Sequence, residues 1–106
     1  MALPVFALIA TANTWTQVHA VTTGKTSTFS INVAGIAACK VKVALTTGTV
    51  VGAANVLPAH TIESLVTLPI GGVLERTGIT LPADCKVWVQ ADVANAASVA
   101  VYGIEE

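Results

Sequence analysis

Apolar and polar side chains alternate along much of this chain, and no stretch holds apolar residues at the i, i+3, i+4, i+7 spacing long enough to make a helix. TSTFSINV (Thr26–Val33) sets Phe29, Ile31 and Val33 on one side and Thr28, Ser30 and Asn32 on the other. CKVKVALT (Cys39–Thr46) repeats the pattern, with Val41, Val43 and Leu45 inward and Lys40, Lys42 and Ala44 outward. A period of two places alternate residues on opposite faces of an extended strand, so each segment is a strand with one buried face. The chain is therefore restricted to all-β architectures.

Four further segments complete the set. TWTQVHAV (Thr14–Val21) is rich in β-branched and aromatic residues. TIESLVTL (Thr61–Leu68) and VLERTGITL (Val73–Leu81) read as strands, the second interrupted near Gly78 by a bulge. KVWVQADVANAASVAVYGIEE (Lys86–Glu106) reads as a pair of strands joined by an Asn-Ala bend. TTGK (Thr22–Lys25) is a Gly-containing turn that predicts a hairpin. Seven or eight short strands at intervals of about 8–12 residues predict an antiparallel two-sheet β-sandwich, jelly-roll or Ig-like. A closed barrel fits the pattern less well.

A length of 106 residues allows one domain, taken as residues 11–106. Residues 1–10 read as an apolar arm or a first strand. The apolar run Leu3–Ala10 is far short of the roughly 20 residues of a membrane helix. It also lacks the cationic start of a secretory signal, the first cation being Lys25. No membrane association is expected.

Charged residues make up only 10% of the chain, against about 25% in an average soluble domain. Thr, Ser and Ala stand where an independent protein carries Lys and Glu. Protein interfaces are depleted of charge at their centres, so this scarcity points to a surface covered by partners. The five cations, Lys25, Lys40, Lys42, Arg76 and Lys86, are scattered, and net charge is −1. No basic stripe suits a phosphate backbone, which argues against direct nucleic-acid binding.

Candidates for chemistry are few. Cys39 and Cys85 form no close-spaced pair, and with two lone histidines they make a poor metal set. A disulfide between them requires the strands that begin at each to be neighbours; two small buried side chains is the plainer expectation. Glu63 and Glu75 flank the turn at Pro69–Gly72 and are placed to face each other across a hairpin, as a solvated strand face far sooner than as a glycosidase pair. His19 reads as a structural residue. No nucleophile elbow, zinc-protease or phosphate-loop motif occurs, so neither an enzyme nor a cofactor is expected.

Trp15 is expected to pack inward with Val21. Trp88 shares its phase with Lys86 and Gln90, on the side opposite Val87 and Val89. It therefore packs under a loop or anchors an interface, because Trp is enriched among binding hot spots. Tyr102, out of phase with Val99 and Val101, is expected beside it. The long connection Thr47–His60 is the expected partner-facing loop.

Gly71–Glu106 together with Thr11–Val33 resembles small virion structural proteins of tailed bacteriophages. The likeness lies in a turn after an early strand, a VLERTGI-like segment, a KV-V strand and a V-V-V-G-EE-like ending. It implies no catalytic residues. It implies a capsid decoration or cement subunit in the virion, assembled in the host bacterial cytoplasm, bound to the major capsid protein or other virion subunits and forming a symmetric homo-oligomer such as a trimer. A neck, tail or baseplate subunit is the alternative within that class. A carbohydrate- or receptor-binding module with Trp88 and Tyr102 as its platform is the alternative outside it. The expected contact residues are Pro4, Val5, Phe6 and Leu8 of the N-terminal segment, Val50, Val51 and Val56 of the loop, and Trp88 with Tyr102.

Overall fold

The computed structural model describes residues 3–106, which form eight strands: β1 (Val5–Leu8), β2 (Thr16–Ala20), β3 (Ser27–Gly35), β4 (Cys39–Thr46), β5 (Thr61–Leu68), β6 (Val73–Leu81), β7 (Lys86–Ala91) and β8 (Ala97–Glu105). They build two four-stranded sheets, ordered β1-β8-β3-β6 and β2-β7-β4-β5. All the pairings are antiparallel. The first half of the chain pairs with the second in reverse order: β1 with β8, β2 with β7, β3 with β6 and β4 with β5. That is one long antiparallel ribbon rolled up into two layers, the jelly-roll form of the β-sandwich.

Only β4 and β5 are both consecutive and paired, and two expected hairpins are therefore absent. β2 and β3, joined through Thr22–Lys25, lie in opposite sheets, and so do β7 and β8. Both connections cross between layers. Glu63 on β5 and Glu75 on β6 do not face each other across a hairpin either. Glu63 accepts from Arg76 of β6, an ion pair that bridges one side of the sandwich, while Glu75 accepts from Tyr102.

The core is built from the alternation. Val33, Val41, Val43, Val87, Val89, Val99 and Val101 are at most 1% exposed, with Phe29 and Ile31 between the same two layers. Burial of each such side chain contributes roughly 1.5–3 kcal/mol. β-Branched residues suit the position, because their restricted χ1 matches the pleated surface.

Four register shifts modify the pattern, two of them in β5, where Ile62 is the extra residue of the second. In β2 the register shifts between Gln17 and His19, so Val18 and His19 are both buried. In β6 it shifts around Thr77–Gly78, where Gly78 adopts φ +70°, as expected from the sequence. In β5, Ser64 and Leu65 together oppose Lys42 of β4, and Leu65 takes φ +56°.

Cys39 and Cys85 are free thiols. Their strands are indeed neighbours, but antiparallel, with Val41 opposite Ala91 and Thr46 opposite Lys86. The two cysteines sit at opposite ends of the pair, about eight residues or roughly 26 Å apart at about 3.3 Å per residue, beyond reach of a bond that needs Cα atoms within about 7 Å.

Candidate interaction surfaces

The outer face of the β1-β8-β3-β6 sheet is assembled row by row from the register. One row runs Leu8, Ser98, Ala34, Val73; the next runs Phe6, Ala100, Asn32, Glu75; beyond them come Tyr102 with Ser30, and Ile104 with Thr28 and Thr80. Small side chains occupy the middle of this face and larger apolar ones its margins. Phe6 is 74% exposed, Ile104 61%, Val73 57% and Leu8 48%. Glu75 is the one ionic side chain in these rows. The Tyr102 hydroxyl donates to its Oε2 at 2.6 Å, and the same bond raises the Tyr102 pKa.

The N-terminal segment is part of this surface. Val5–Leu8 is an edge strand whose Val5 and Ala7 pack against the core and whose Phe6 and Leu8 point outward. Pro4 precedes it, exposed. Met1 and Ala2 of the expected arm lie outside the described residues.

The other predicted contact residues are placed differently. Trp88 is 3% exposed on the outer face of the second sheet, packed with Ala44, Val50 and Val56. Its cover is the chain's own Thr47–His60 connection, which folds back through two short 3₁₀ turns, Ala53–Asn55 and Pro58–His60. Trp88 Nε1 donates to Thr46 Oγ1 at 2.8 Å, and Lys86 Nζ donates to the Val50 carbonyl at 3.0 Å, fastening the flap. His60 Nδ1 accepts from the Leu57 amide at 2.9 Å and fixes the second turn. Of the three loop valines only Val51 is exposed, at 73%. Tyr102, on β8, stands in the other sheet, so it and Trp88 form no joint platform.

No family model matches the chain, and no curated protein and no solved structure matches it.

One polar cluster has the residue types of a hydrolase triad in a different arrangement. Ser27 Oγ donates to Glu105 Oε1 at 3.0 Å and lies 3.3 Å from His19 Nε2. The serine proton is committed to the carboxylate, so its oxygen accepts from Nε2–H. Nδ1 is then the unprotonated nitrogen, and it has no partner among the described residues. Ser27 and His19 are buried, and the His19 ring meets Phe29 edge to face at 5.6 Å. Glu105 also accepts from the Thr22 amide at 3.1 Å and the Thr22 hydroxyl at 2.9 Å. The Thr22 amide, with help from the Thr22 and Ser27 hydroxyls, pulls its pKa down to about 2. Burial lowers that of His19, opposed by the Glu105 charge. The cluster clasps the end of β8 to the β2–β3 connection.

Two grooves remain. One, bounded by Ala20, Val21, Gly48, Thr49, Asp84 and Lys86, has its ionic groups engaged: Asp84 accepts from Thr23 at 2.6 Å and Lys86 holds Val50. The other, about 350 Å³, lies on the outer face of the second sheet beside the flap, and Trp15 and Lys42 are among its walls. Trp15, expected in the core with Val21, instead packs on this outer face against the Trp88 cluster, half-buried. Among the described residues, no group of three or more His, Cys, Asp or Glu is arranged to hold a metal.

Proposed function

We propose that this chain is a non-enzymatic structural subunit of a tailed-bacteriophage virion, one that decorates and cements the capsid through the outer face of its β1-β8-β3-β6 sheet. The observation that carries this is the character of that face: rimmed by Phe6, Leu8, Val73 and Ile104, and bearing a single carboxylate already held by Tyr102. A face with one carboxylate, already accepting a hydrogen bond from Tyr102, can be covered at less cost than one that would strand several unpaired ions. The resemblance of Thr11–Val33 and Gly71–Glu106 to phage virion proteins supplies the class of partner: the major capsid protein or neighbouring virion subunits.

Size suggests how such a subunit works. Three nine-residue strands and the four-residue β1, spaced about 4.8 Å apart with about 3.3 Å per residue, present roughly 490 Å² of sheet. A standard interface takes about 800 Å² from each partner. A single face is thus a modest binder, and firm attachment comes from several copies acting together, as in a symmetric homo-oligomer seated over adjoining capsid subunits. The unpaired outer edge of β1 adds a second kind of contact, since an extended neighbour can pair with it.

Ala100→Glu puts an unpaired charge at the centre of the face, and Lys40→Glu alters an exposed position on the opposite sheet. The first is expected to abolish binding to capsids lacking the protein at an unchanged thermal midpoint, and the second to leave binding intact. Normal binding by Ala100→Glu overturns the proposal. Copy number separates the two sites within a particle: on the order of hundreds for a decorated head, and a few to tens for a neck or tail tip.

A further inference from the structure

We infer that the groove beside the flap, on the sheet opposite the proposed docking face, is a binding site for an acidic sugar residue. The central observation is Lys42. It is half-buried, yet among the described residues no carboxylate or carbonyl accepts from its ammonium group. Lys86 on the neighbouring strand, by contrast, is tied to the Val50 carbonyl. An ammonium group on the wall of a groove, with no carboxylate or carbonyl of the described residues holding it, is placed to meet an anion.

The backbone around Lys42 is shaped rather than regular. Ser64 and Leu65 of β5 bulge opposite it, with Leu65 held at φ +56°, a conformation costly for a bulky residue. Bulges of this kind re-aim side chains beside functional sites. Here the bulge brings Ser64 to the groove, together with Thr61 from the start of β5 and Pro58 from the flap. The hydroxyls offer donors and acceptors with free rotation, which suits the hydroxyl groups of a sugar. Trp15 also lines the groove, and its indole offers an apolar surface to a pyranose ring. A volume of about 350 Å³ lies at the low end of the roughly 300–1,000 Å³ of small-molecule sites, enough for on the order of one or two sugar rings. Anion, ring and hydroxyls together specify a carboxylate-bearing saccharide of the uronic or sialic acid type.

The site stands independently of the docking proposal, since neither Lys42 nor Trp15 belongs to that face. The test is a titration of the full-length protein with glucuronic acid and a glucuronate-containing oligosaccharide, followed by NMR shifts of the backbone amides, with glucose and acetate as controls. The acidic sugars are expected to shift the amides of β4, β5 and the flap, and to bind at least about tenfold tighter than either control. Lys42→Gln should weaken acidic-sugar binding by about tenfold or more while the thermal midpoint stays put, and Lys42→Arg should retain most of it. Trp15→Leu should weaken the sugars and leave acetate unaffected. Three results each overturn the inference: no shift with any acidic sugar, acetate binding as tightly as glucuronate, or full affinity in Lys42→Gln.

Discussion

The Trp88 indole nitrogen donates to Thr46 Oγ1 at 2.8 Å beneath a flap made by the chain's own Thr47–His60 segment. This bond and the packing of Val50 and Val56 form a second small core on the outside of a sheet, and that core can be measured separately from the main one. Trp88→Ala removes the centre of the cluster and should cost about 3–5 kcal/mol in denaturant unfolding. Trp88→Phe keeps much of the apolar contact but leaves the nearly buried Thr46 hydroxyl without its donor, and should cost about 1–3 kcal/mol. Because Val50 touches the same indole cluster, Trp88→Ala and Val50→Ala should be non-additive by at least about 0.5 kcal/mol.

The Glu105 clasp makes stability depend on acid. Its carboxyl falls from an ordinary 4.5 to about 2 in the folded protein. The folded state therefore gains a contribution that is complete above about pH 4.5 and is lost as pH falls toward 2. His19 acts in the same direction: burial lowers its pKa, so protons favour the unfolded chain once pH drops below its ordinary 6.5. Glu105→Gln should lower the thermal midpoint at neutral pH, and the gap from the parent protein should close as pH approaches 2. A gap that stayed constant over that range would show that the carboxylate charge contributes nothing.

The strands and their buried faces were legible because alternation is a local property: Phe29, Ile31, Val33, Val41 and Val43 announce which side is inward without reference to any other segment. Pairing is not local. TTGK has the composition of a hairpin turn, yet β2 and β3 separate into different sheets, because a jelly roll pairs strands far apart in the chain. The bend before β8 misleads for the same reason. Trp88 shows the limit at the level of a single side chain. Its phase with Lys86 and Gln90 correctly sets it on an outer face, but its cover is an irregular segment with no periodicity to reveal where it folds. Trp15 and Lys42 were out of reach on similar grounds: the groove exists only once that flap and the Ser64–Leu65 bulge are in place.

Gly103 lies on β8 opposite Phe29. A methyl group there would stand 2.7 Å from Phe29 Cα and closer still to the Thr28 carbonyl oxygen, at a backbone φ of +153° that side chains rarely adopt. Both obstacles are backbone atoms inside a continuous ladder, so they cannot swing aside. Gly103→Ala should therefore destabilise the fold by at least about 1–3 kcal/mol, the usual range for overpacking. It should also loosen the last strand first, visible as faster amide exchange at Ile104 and Glu105 than at Val99 and Val101.

Cys39 and Cys85 supply a test of the topology itself. Cys39 is buried, its thiol directed at the Ala96 carbonyl at 3.8 Å, and burial raises its pKa; Cys85 is only half-buried, at the far end of the β4–β7 pair. The thiolate is the reactive form, so a thiol reagent should label Cys85 readily and Cys39 only on unfolding. Oxidising conditions should yield no intrachain disulfide, and the thermal midpoint should be the same with and without reductant. Mass spectrometry of a proteolytic digest reads the outcome directly. A peptide linking Cys39 to Cys85 within one chain would mean that β4 and β7 do not pair with Val41 opposite Ala91 and Thr46 opposite Lys86. Cys85 joined to Cys85 of a second copy would leave that register intact, because only the accessible thiol would have reacted.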